Sequence, residues 1–253
     1  MTLQAIALTV RQELLHLDLD RGEVGERRRL ANVEDLRGLL LALDRRPADG
    51  QIYALTGLTE MTDRMSLLPL PRDATSPVDF RQQANEIPLD LPLPSDVLIA
   101  FDPLLDSLRV IEPTGRSFRV DPSSGALSED VSLVASGGSG TPRFSAAAYG
   151  RSFSGGTFGQ TRHTPLYLID VAQRALHIED PRQPGRLEYI GELGIPLREL
   201  SAFRIFSTPE TDTGVLVDGN RIYTIDLLTG QAWDRADFGS QDLVITDMAP
   251  LMQ

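Results

Sequence analysis

Five polar residues stand at or near the ends of five short runs of small or apolar residues. The runs are Leu39–Leu43, Val97–Phe101, Ser145–Tyr149, Ser201–Ile205 and Leu243–Thr246, and the polar residues are Asp44, Asp102, Tyr149, Arg204 and Asp247. If the runs meet in space, the three carboxylates could bind a hard cation such as Ca²⁺ through oxygen ligands. Two of them could instead divide the acid and base roles of sugar hydrolysis. We take these five residues as a candidate ligand-binding set and assign no catalytic residue.

A simpler interpretation is that these aspartates begin turns and accept hydrogen bonds from backbone N–H groups. The recurrent Asp-x-x-Pro pattern at 44–47 and 247–250 favours this interpretation. Three further charged residues, Asp106, Arg109 and Arg119, lie inside strand-like patterns. An arginine in a strand can pair with a carboxylate of a neighbouring strand or bind an anionic ligand. We expect structural pairing at these three positions.

Composition excludes several kinds of chemistry. The chain has no cysteine, and all its basic residues are arginine. Disulfides, thiolate metal sites, lysine Schiff bases and Walker-type phosphate loops are therefore excluded. The three histidines, His16, His163 and His177, do not have the spacing of metal ligands. No G-x-S-x-G motif is present to anchor a hydrolase triad.

The elements that must position these residues form a repeat, a strand ending in Asp followed by a turn that usually ends in Gly. Its copies are Leu14–Asp18 with Gly22, Ser117–Asp121 with Gly125, Leu166–Asp170 without the glycine, Arg221–Asp226 with Gly230, and a degraded copy at Arg64–Pro69. Asp at the first turn position accepts backbone hydrogen bonds, and Gly supplies a positive φ. The copies recur about every 50 residues, which is typical of the blades of a β-propeller.

The sequence therefore predicts an all-β protein, a single-domain propeller over residues 1–253 with five blades of about four antiparallel strands. The last apolar run has no repeat unit after it, and the first unit has only one strand-like run before it. We infer that the N- and C-terminal strands share one blade and close the ring. The predicted blades are 240–253 with 1–31, then 32–94, 95–141, 142–192 and 193–239. The leucines of Val33–Arg46 also fit a helix, but the repeat favours a strand from Leu39 onward.

Three segments interrupt the repeat. Residues 72–96 form a Pro-rich insertion, 135–143 a Gly/Ser-rich loop, and 150–164 a second Gly-rich loop that contains His163. Loops carry function more often than the elements that they connect. Simple connection or insertion remains the expectation for each of them.

The acidic balance restricts the partners. The chain has 36 acidic and 24 basic residues, a formal net charge of −12. Such a chain lacks the basic footprint that nucleic acids and anionic membrane surfaces require. The N-terminus lacks the basic region of a secretion signal, and no 18-residue apolar segment occurs. We expect a cytoplasmic location by default, or an exported protein if a leader has been removed.

The segment from Phe101 to Gly125 resembles the signature of the DUF4394 domain family. In that family a strand of the type F-x-P-x-x-D-x-L-R-V precedes x-T-G-x-x-x-R-V-x-P-x-T-G. The matching residues are Phe101, Pro103, Asp106, Leu108, Arg109, Val110, Thr114, Gly115, Arg119, Val120, Pro122 and Gly125. Ala146–Tyr149 with Ser152 and Phe153 is similar to its A-A-A-Y-x-x-S-F segment, and the likeness covers nearly the whole chain. The resemblance implies a propeller-like β-protein of unknown function, and it supplies no catalytic residues.

These observations leave three functional hypotheses. The first is a non-enzymatic binding or scaffold module that docks a protein partner. The second is a carbohydrate- or lactone-active hydrolase with axial carboxylates and an optional Ca²⁺. The third is a structural subunit of a larger assembly that docks through residues 72–96. The first is favoured because the sequence shows no catalytic constellation, although fold alone does not fix function.

Overall fold

A computed structural model describes residues 2–29, 39–57, 65–71, 87–89, 96–136, 141–151, 164–180, 183–198, 201–240 and 242–251. Within these ranges every helix or strand element is a β-strand. No helix in them is long and apolar enough to cross a membrane. The strands are β1 (Gln4–Thr9), β2 (Glu13–Asp18), β3 (Glu23–Arg29), β4 (Leu40–Arg45), β5 (Ile52–Thr56), β6 (Met65–Pro69), β7 (Ile87–Leu89), β8 (Leu98–Asp102), β9 (Ser107–Ile111), β10 (Ser117–Val120), β11 (Leu127–Asp130), β12 (Val134–Ser136), β13 (Phe144–Tyr149), β14 (Leu166–Asp170), β15 (Ala175–Glu179), β16 (Arg186–Glu192), β17 (Ser201–Ser207), β18 (Asp212–Asp218), β19 (Arg221–Ile225), β20 (Ala232–Asp237) and β21 (Ile245–Leu251).

The strands form five small sheets, which are the blades of a five-bladed β-propeller. Their strand orders are β21-β1-β2-β3, β4-β5-β6-β7, β8-β9-β10-β11, β13-β14-β15-β16 with β12 at its outer edge, and β17-β18-β19-β20. The first strand of each order is the innermost one. Inner strand β4 contacts β8 and β21, β17 contacts β13 and β21, and β8 contacts β13. These contacts close a ring around one axis, so the predicted fold is confirmed.

One blade combines the two ends of the chain, as predicted. The C-terminal strand β21 pairs antiparallel with β1, with Ala5 opposite Pro250 and Ala7 opposite Met248. Strand β1 then pairs with β2, with Ala7 opposite Leu15. The sheet edge of β1 is thereby covered by the other end of the chain, which closes the ring.

The hydrophobic core is divided into five clusters, and each cluster lies between two adjacent blades. Leu15 and Leu17 of the split blade pack in one cluster with Val215 and Val217 of the last blade. The other four clusters join the remaining neighbouring pairs in the same way. Because both faces of each sheet are covered, a polar residue in the strand pattern need not reach water, and Arg109 is fully buried.

The repeated Asp forms the hydrogen bonds that the sequence predicts. Oδ1 of Asp121 accepts from the N–H groups of Ser123 at 2.7 Å and Ser124 at 3.1 Å. The same pattern recurs at Asp18, Asp170 and Asp226. The assignment of Leu166–Asp170 as an equivalent copy is nevertheless wrong, because β14 is the second strand of its blade, whereas the other copies lie in third strands. The equivalent strand is β15, and Gly185, with a φ of +85°, precedes the next strand.

The glycine that ends the turn lies against the preceding blade. A β-carbon placed on Gly22, whose φ is +68°, would lie 2.1 Å from the carbonyl oxygen of Asp237 in β20. Gly125, Gly185 and Gly230 approach the backbone of their preceding blades similarly, at Pro88, Ser132 and Gly191. The turn glycine therefore serves two purposes, a positive φ and a close contact that sets the spacing between blades.

The segments that interrupt the repeat are described only in part. Of the predicted insertion 72–96, residues 87–89 form β7, the outer strand of the second blade, and 96 precedes β8; residues 72–86 and 90–95 lie outside the described residues. Residues 137–140 and 152–163, which include His163, lie outside them as well. Strand β12 falls within predicted blade 95–141, but it pairs in parallel with β16 of the next blade. This parallel strand covers the outer edge of that next sheet.

Candidate functional site

The centre of the propeller is occupied by the side chain of Arg204, from inner strand β17. Its Nη1 donates to the carbonyl oxygens of Ala147 at 3.0 Å and Phe203 at 2.7 Å. Its Nη2 donates to the carbonyl oxygen of Leu43 and approaches that of Ile99 at 3.5 Å. With the carboxylate of Asp247 in β21, the guanidinium contacts all five inner strands. The side chain is only 4% exposed.

Two aspartates of the predicted set flank this guanidinium. Asp44 Oδ1 lies 3.3 Å from Nε of Arg204, and Nη2 lies 3.0 Å from Asp247. Each carboxylate also bonds the next inner strand, since Asp44 accepts from the N–H of Phe101 at 2.7 Å and Asp247 from that of Leu43 at 2.9 Å. The carboxylates therefore link neighbouring blades through backbone bonds as well as charge. We call Asp44, Arg204 and Asp247 the axial triad.

The triad has two acidic groups and one basic group, and both carboxylates are buried. Burial raises the pKa of Asp247 to about 6, and the charge of Arg204 offsets only part of this effect. The charge of Asp44 adds to the upward shift. Burial likewise raises the pKa of Asp44, against the opposing effects of Arg204 and the Phe101 N–H. Two carboxylates that share one guanidinium in a dry site resist being ionised together.

This arrangement changes the interpretation of the predicted ligand-binding set. A bound Ca²⁺ needs several free oxygen ligands, whereas the oxygens of Asp44 and Asp247 face an arginine and backbone N–H groups. In the described part of the chain, no group of three or more acidic or histidine side chains is placed to hold a metal ion. Asp44 and Asp247 do accept hydrogen bonds from backbone N–H groups, as the simpler interpretation expects. These N–H groups belong chiefly to the neighbouring blade and not to the turns that follow the aspartates.

Asp102 and Tyr149, the other two members of the predicted set, lie in a different cluster. Asp102 begins the turn after β8, where its Oδ1 accepts from the N–H groups of Leu104 at 3.0 Å and Leu105 at 3.1 Å. Its Oδ2 pairs with Nη1 of Arg119 at 3.2 Å. The grouping of Asp102 with Asp44 and Asp247 as three axial carboxylates is therefore not what the geometry shows.

The hydroxyl of Tyr149 is buried beside that carboxylate. Burial raises the pKa of Tyr149 to about 12, and the nearby charge of Asp102 adds to the effect. Among the described residues the hydroxyl has no hydrogen-bond partner. A phenol with so high a pKa stays neutral at physiological pH and is a poor general base.

The three charged strand residues have structural partners, as expected. Arg109 donates to Glu179 of the next blade at 2.6 Å and lies 3.3 Å from Asp130. Burial alone would lower the pKa of Arg109, but the ionised form of Tyr149 and the charges of Glu179 and Asp130 raise it. Arg119 pairs with Asp130 at 2.8 Å.

Asp106 forms a two-pronged pair with an arginine of the preceding blade. Its carboxylate bonds Nε of Arg46 at 2.8 Å and Nη2 at 2.6 Å. Sequence reasoning identified Asp106 but not its partner. Arg46 follows directly on β4, and its distance of sixty residues from Asp106 along the chain gives no local signal.

A cavity of about 260 Å³ opens at the end of the axis where the inner strands begin. We call it the axial cavity. It is bordered by apolar residues Leu41, Val97, Ile99 and Phe144, and by Arg204 and Asp247 of the axial triad. Sequence reasoning missed this cavity, since a single sequence gives the composition of the inner strands but not the space between them.

The family comparison agrees with the residues and the fold. The model of the family described as "Domain of unknown function (DUF4394)" matches residues 13–249. The chain belongs to the DUF4394 family. No curated protein matches this DUF4394 chain.

Several solved structures share the fold at low identity. The nidogen/laminin complex has a TM-score of 0.52 and 13% identity, and the match covers 100% of this chain and 99% of that one. An auxiliary nutrient binding protein from Bacteroides ovatus has a TM-score of 0.51 and 11% identity, with 94% and 57% covered. Virginiamycin B lyase from Staphylococcus aureus has a TM-score of 0.47 and 11% identity, with 93% and 70% covered. At these identities the first two structures, with TM-scores above 0.5, show that the DUF4394 chain shares their fold and nothing more.

Proposed function

We propose that this chain is a non-catalytic binding module that docks a protein partner. The observation that carries the proposal is the axial triad. The two carboxylates that could have served as acid and base are held by Arg204 and by backbone N–H groups of neighbouring blades. They work as internal links between blades, so the surface of the propeller, which includes the rim of the axial cavity, is left for function.

The charge of the chain supports a basic partner surface. A formal net charge of −12 attracts cationic partners and accelerates their association at low salt. The propeller of the nidogen/laminin complex is an instance of this fold in an assembly between proteins. Because unrelated functions share the propeller fold, the proposal rests on the triad and the charge.

The two alternatives have less support in the geometry. A hydrolase with axial carboxylates would need at least one carboxylate free to reach a substrate, and both are engaged by Arg204. A structural subunit that docks through residues 72–96 rests on a segment of which the structure describes only 87–89 and 96. Both alternatives stay predictions that the following experiment also addresses.

The test begins with capture of partners by the immobilised full chain at low salt. Each captured protein is then purified and titrated against the chain by calorimetry. We expect one-to-one binding that Asp96→Arg, at the rim of the axial cavity, weakens on the order of tenfold. The matched control is Asp234→Arg on the outer strand β20, where the side chain is 72% exposed; it should bind as the wild type does.

Two results would overturn the proposal. One is that no purified candidate binds the chain. The other is turnover of a lactone or glycoside that Asp247→Asn abolishes while the protein remains folded, because this would assign catalysis to an axial carboxylate.

A further inference from the structure

We propose that a groove on the fourth blade binds a short neutral saccharide. The groove lies between the β14–β15 turn, the end of β16 and the segment Gly194–Pro196 that follows β16. It shares no lining residue with the axial cavity. We call it the blade groove. The inference goes beyond the proposed function and does not rest on it, because a saccharide would bind here without a partner protein.

The size of the blade groove suits a small ligand. Its volume of about 740 Å³ lies within the usual range of ligand pockets, about 300–1,000 Å³. Such pockets are lined mainly by apolar and aromatic side chains. Half of the residues around this groove carry a polar side chain, namely Gln173, Arg174, Tyr189 and Glu192. The lining therefore favours a ligand with many polar groups.

The polar side chains of the groove differ in their hydrogen-bonding capacity. The guanidinium of Arg174 only donates, the carboxylate of Glu192 only accepts, and the amide of Gln173 does both. Arg174 and Glu192 are exposed, and Nε2 of Gln173 has no hydrogen-bond partner among the described residues. A ligand hydroxyl both donates and accepts, so a ligand with several hydroxyls can bond all three side chains.

The charges of the lining favour a ligand without net charge. Arg174 and Glu192 are the two charged residues that border the groove, and their formal charges cancel. A cation would face Arg174, and an anion would face Glu192. An apolar ligand would cover both side chains without giving them hydrogen bonds, which is costly. A neutral polyol avoids all three disadvantages.

Tyr189 supplies an apolar surface beside these polar groups. It is 41% exposed, and its ring stands nearly perpendicular to the imidazole of His177, with the ring centres 5.7 Å apart. His177 is fully buried and lies directly opposite Tyr189 on β15, so the core holds the orientation of the ring. A sugar ring can place its C–H groups on such an aromatic surface while its hydroxyls reach the polar side chains. This combination distinguishes a saccharide from a simple polar solute.

The backbone of Arg174 gives an independent indication that its side chain has a use. Three other copies of the Asp turn place a glycine at the matching position, at Gly22, Gly125 and Gly230, each with a positive φ. Arg174 has a φ of +52°, in the left-handed region where a β-carbon crowds the backbone. Glycine would form this turn with less strain. We infer that the arginine is placed there for its side chain, which borders the groove.

The experiment titrates cellobiose, maltose and lactose calorimetrically into the full chain at pH 7.5. We expect at least one of them to bind one-to-one with a dissociation constant on the order of 1 mM or lower. The affinity should change little as salt is added, because the ligand carries no charge. Docking of a basic partner depends on salt, so the two proposals differ in this measurement.

Variants of the lining locate the binding. Tyr189→Ala removes the apolar surface and Glu192→Ala removes the acceptor, and each should weaken binding on the order of tenfold. The matched controls are Trp233→Ala and Glu129→Ala, because both side chains are 63% exposed on outer strands of other blades. The controls should bind as the wild type does.

Arg174→Gly separates ligand binding from folding. It should weaken binding on the order of tenfold, because the donor is lost. It should be at least as stable as the wild type in urea, since glycine adopts a positive φ without steric strain. Arg221→Met, at an arginine of the fifth blade that is 60% exposed, is the control and should leave binding unchanged.

Three results would overturn the inference. One is that none of the three disaccharides binds, and another is binding that Tyr189→Ala, Glu192→Ala and Arg174→Gly all leave unchanged. The third is a clear loss of stability for Arg174→Gly, because the arginine would then have a structural role.

The peptide acetyl-Glu-Ala-Arg-amide tests the alternative occupant, a segment of a partner protein. Binding of this peptide more tightly than any of the disaccharides would overturn the inference and assign the groove to protein docking. Saccharide binding by a chain that binds no purified protein partner would support the inference and refute the proposed function. Protein docking without saccharide binding would do the reverse.

Discussion

Nη2 of Arg204 lies 3.0 Å from each of the two carboxylate oxygens of Asp247, at the point where the inner strands of the first and last blades meet. The guanidinium extends from there to carbonyl oxygens on the other inner strands. One side chain therefore joins five blades, whereas each apolar cluster of the described residues joins two. Loss of that side chain should therefore destabilise the whole ring of blades.

Arg204→Met should destabilise the protein by about 3–5 kcal/mol at pH 7.5, because it removes the guanidinium that both buried carboxylates contact. Much of this loss should be recovered at pH 5, where the carboxylates can take up protons. Urea unfolding followed by tryptophan fluorescence at both pH values measures the difference. The matched control is Arg221→Met, since Arg221 is 60% exposed and its pair with Asp234 lies at the surface. A loss for Arg204→Met that is the same at both pH values would contradict this account.

The two axial carboxylates should behave non-additively. Asp44→Asn or Asp247→Asn alone leaves Arg204 with one carboxylate, a balanced pair, so each single variant should be as stable as the wild type at pH 7.5 or more stable. The double variant leaves the guanidinium buried without any carboxylate and should lose about 3 kcal/mol or more. A double-mutant cycle from urea unfolding gives the coupling free energy directly. Additive effects would show that the charges do not share a site.

The sequence predicted the blades well because their signals are local. Asp121 and Gly125 form a turn whose hydrogen bonds span a few residues, and the same chemistry recurs in each blade. The same local character caused the error at Asp170. An Asp turn forms after any strand, so the aspartate alone does not distinguish a second strand from a third, and the missing glycine was the distinguishing signal.

The site was predicted only in part, because the local sequence does not fix where a residue lies along the propeller axis. Arg204 lies in the middle of a seven-residue strand, whereas Asp102 is the last residue of a five-residue strand. The end of an apolar run therefore does not mark the same level on each blade. Asp44 and Asp247 lie at the same position along the axis as Arg204. Asp102 lies farther along it, at the start of the turn after its strand.

The stability of the wild type should rise as the pH is lowered from about 7.5 to 5. The pKa of Asp247 in the folded protein is about 6, above the ordinary value of 3.8, so the folded state binds more protons than the unfolded state in that window. A shift of about two units corresponds to about 3 kcal/mol. The gain should be largely complete near the ordinary pKa of an aspartate.

Comparison with Asp247→Asn isolates this effect. Burial also raises the pKa of Asp218, so this residue contributes to the pH dependence of stability with the same sign in both proteins. The difference between the two pH profiles therefore reports the axial site. Asp121 and Asp226, whose carboxylates accept backbone hydrogen bonds, have lowered pKa values and lose their contribution only at more acidic pH. Parallel profiles of wild type and variant from pH 5 to 7.5 would refute the prediction.

Gly22→Ala should destabilise the protein by clearly more than the roughly 1 kcal/mol that a positive φ alone costs an alanine. The added methyl group would meet the carbonyl oxygen of Asp237 at 2.1 Å, so two blades must separate to admit it. Gly239→Ala is the matched control, since its φ of +67° is nearly that of Gly22 at +68° and no atom lies within 4 Å of the added carbon. The difference between the two losses, measured by urea unfolding, gives the free energy of the contact between blades. Equal losses would mean that the turn glycine supplies only its backbone conformation, and that the spacing between blades is set by the hydrophobic clusters alone.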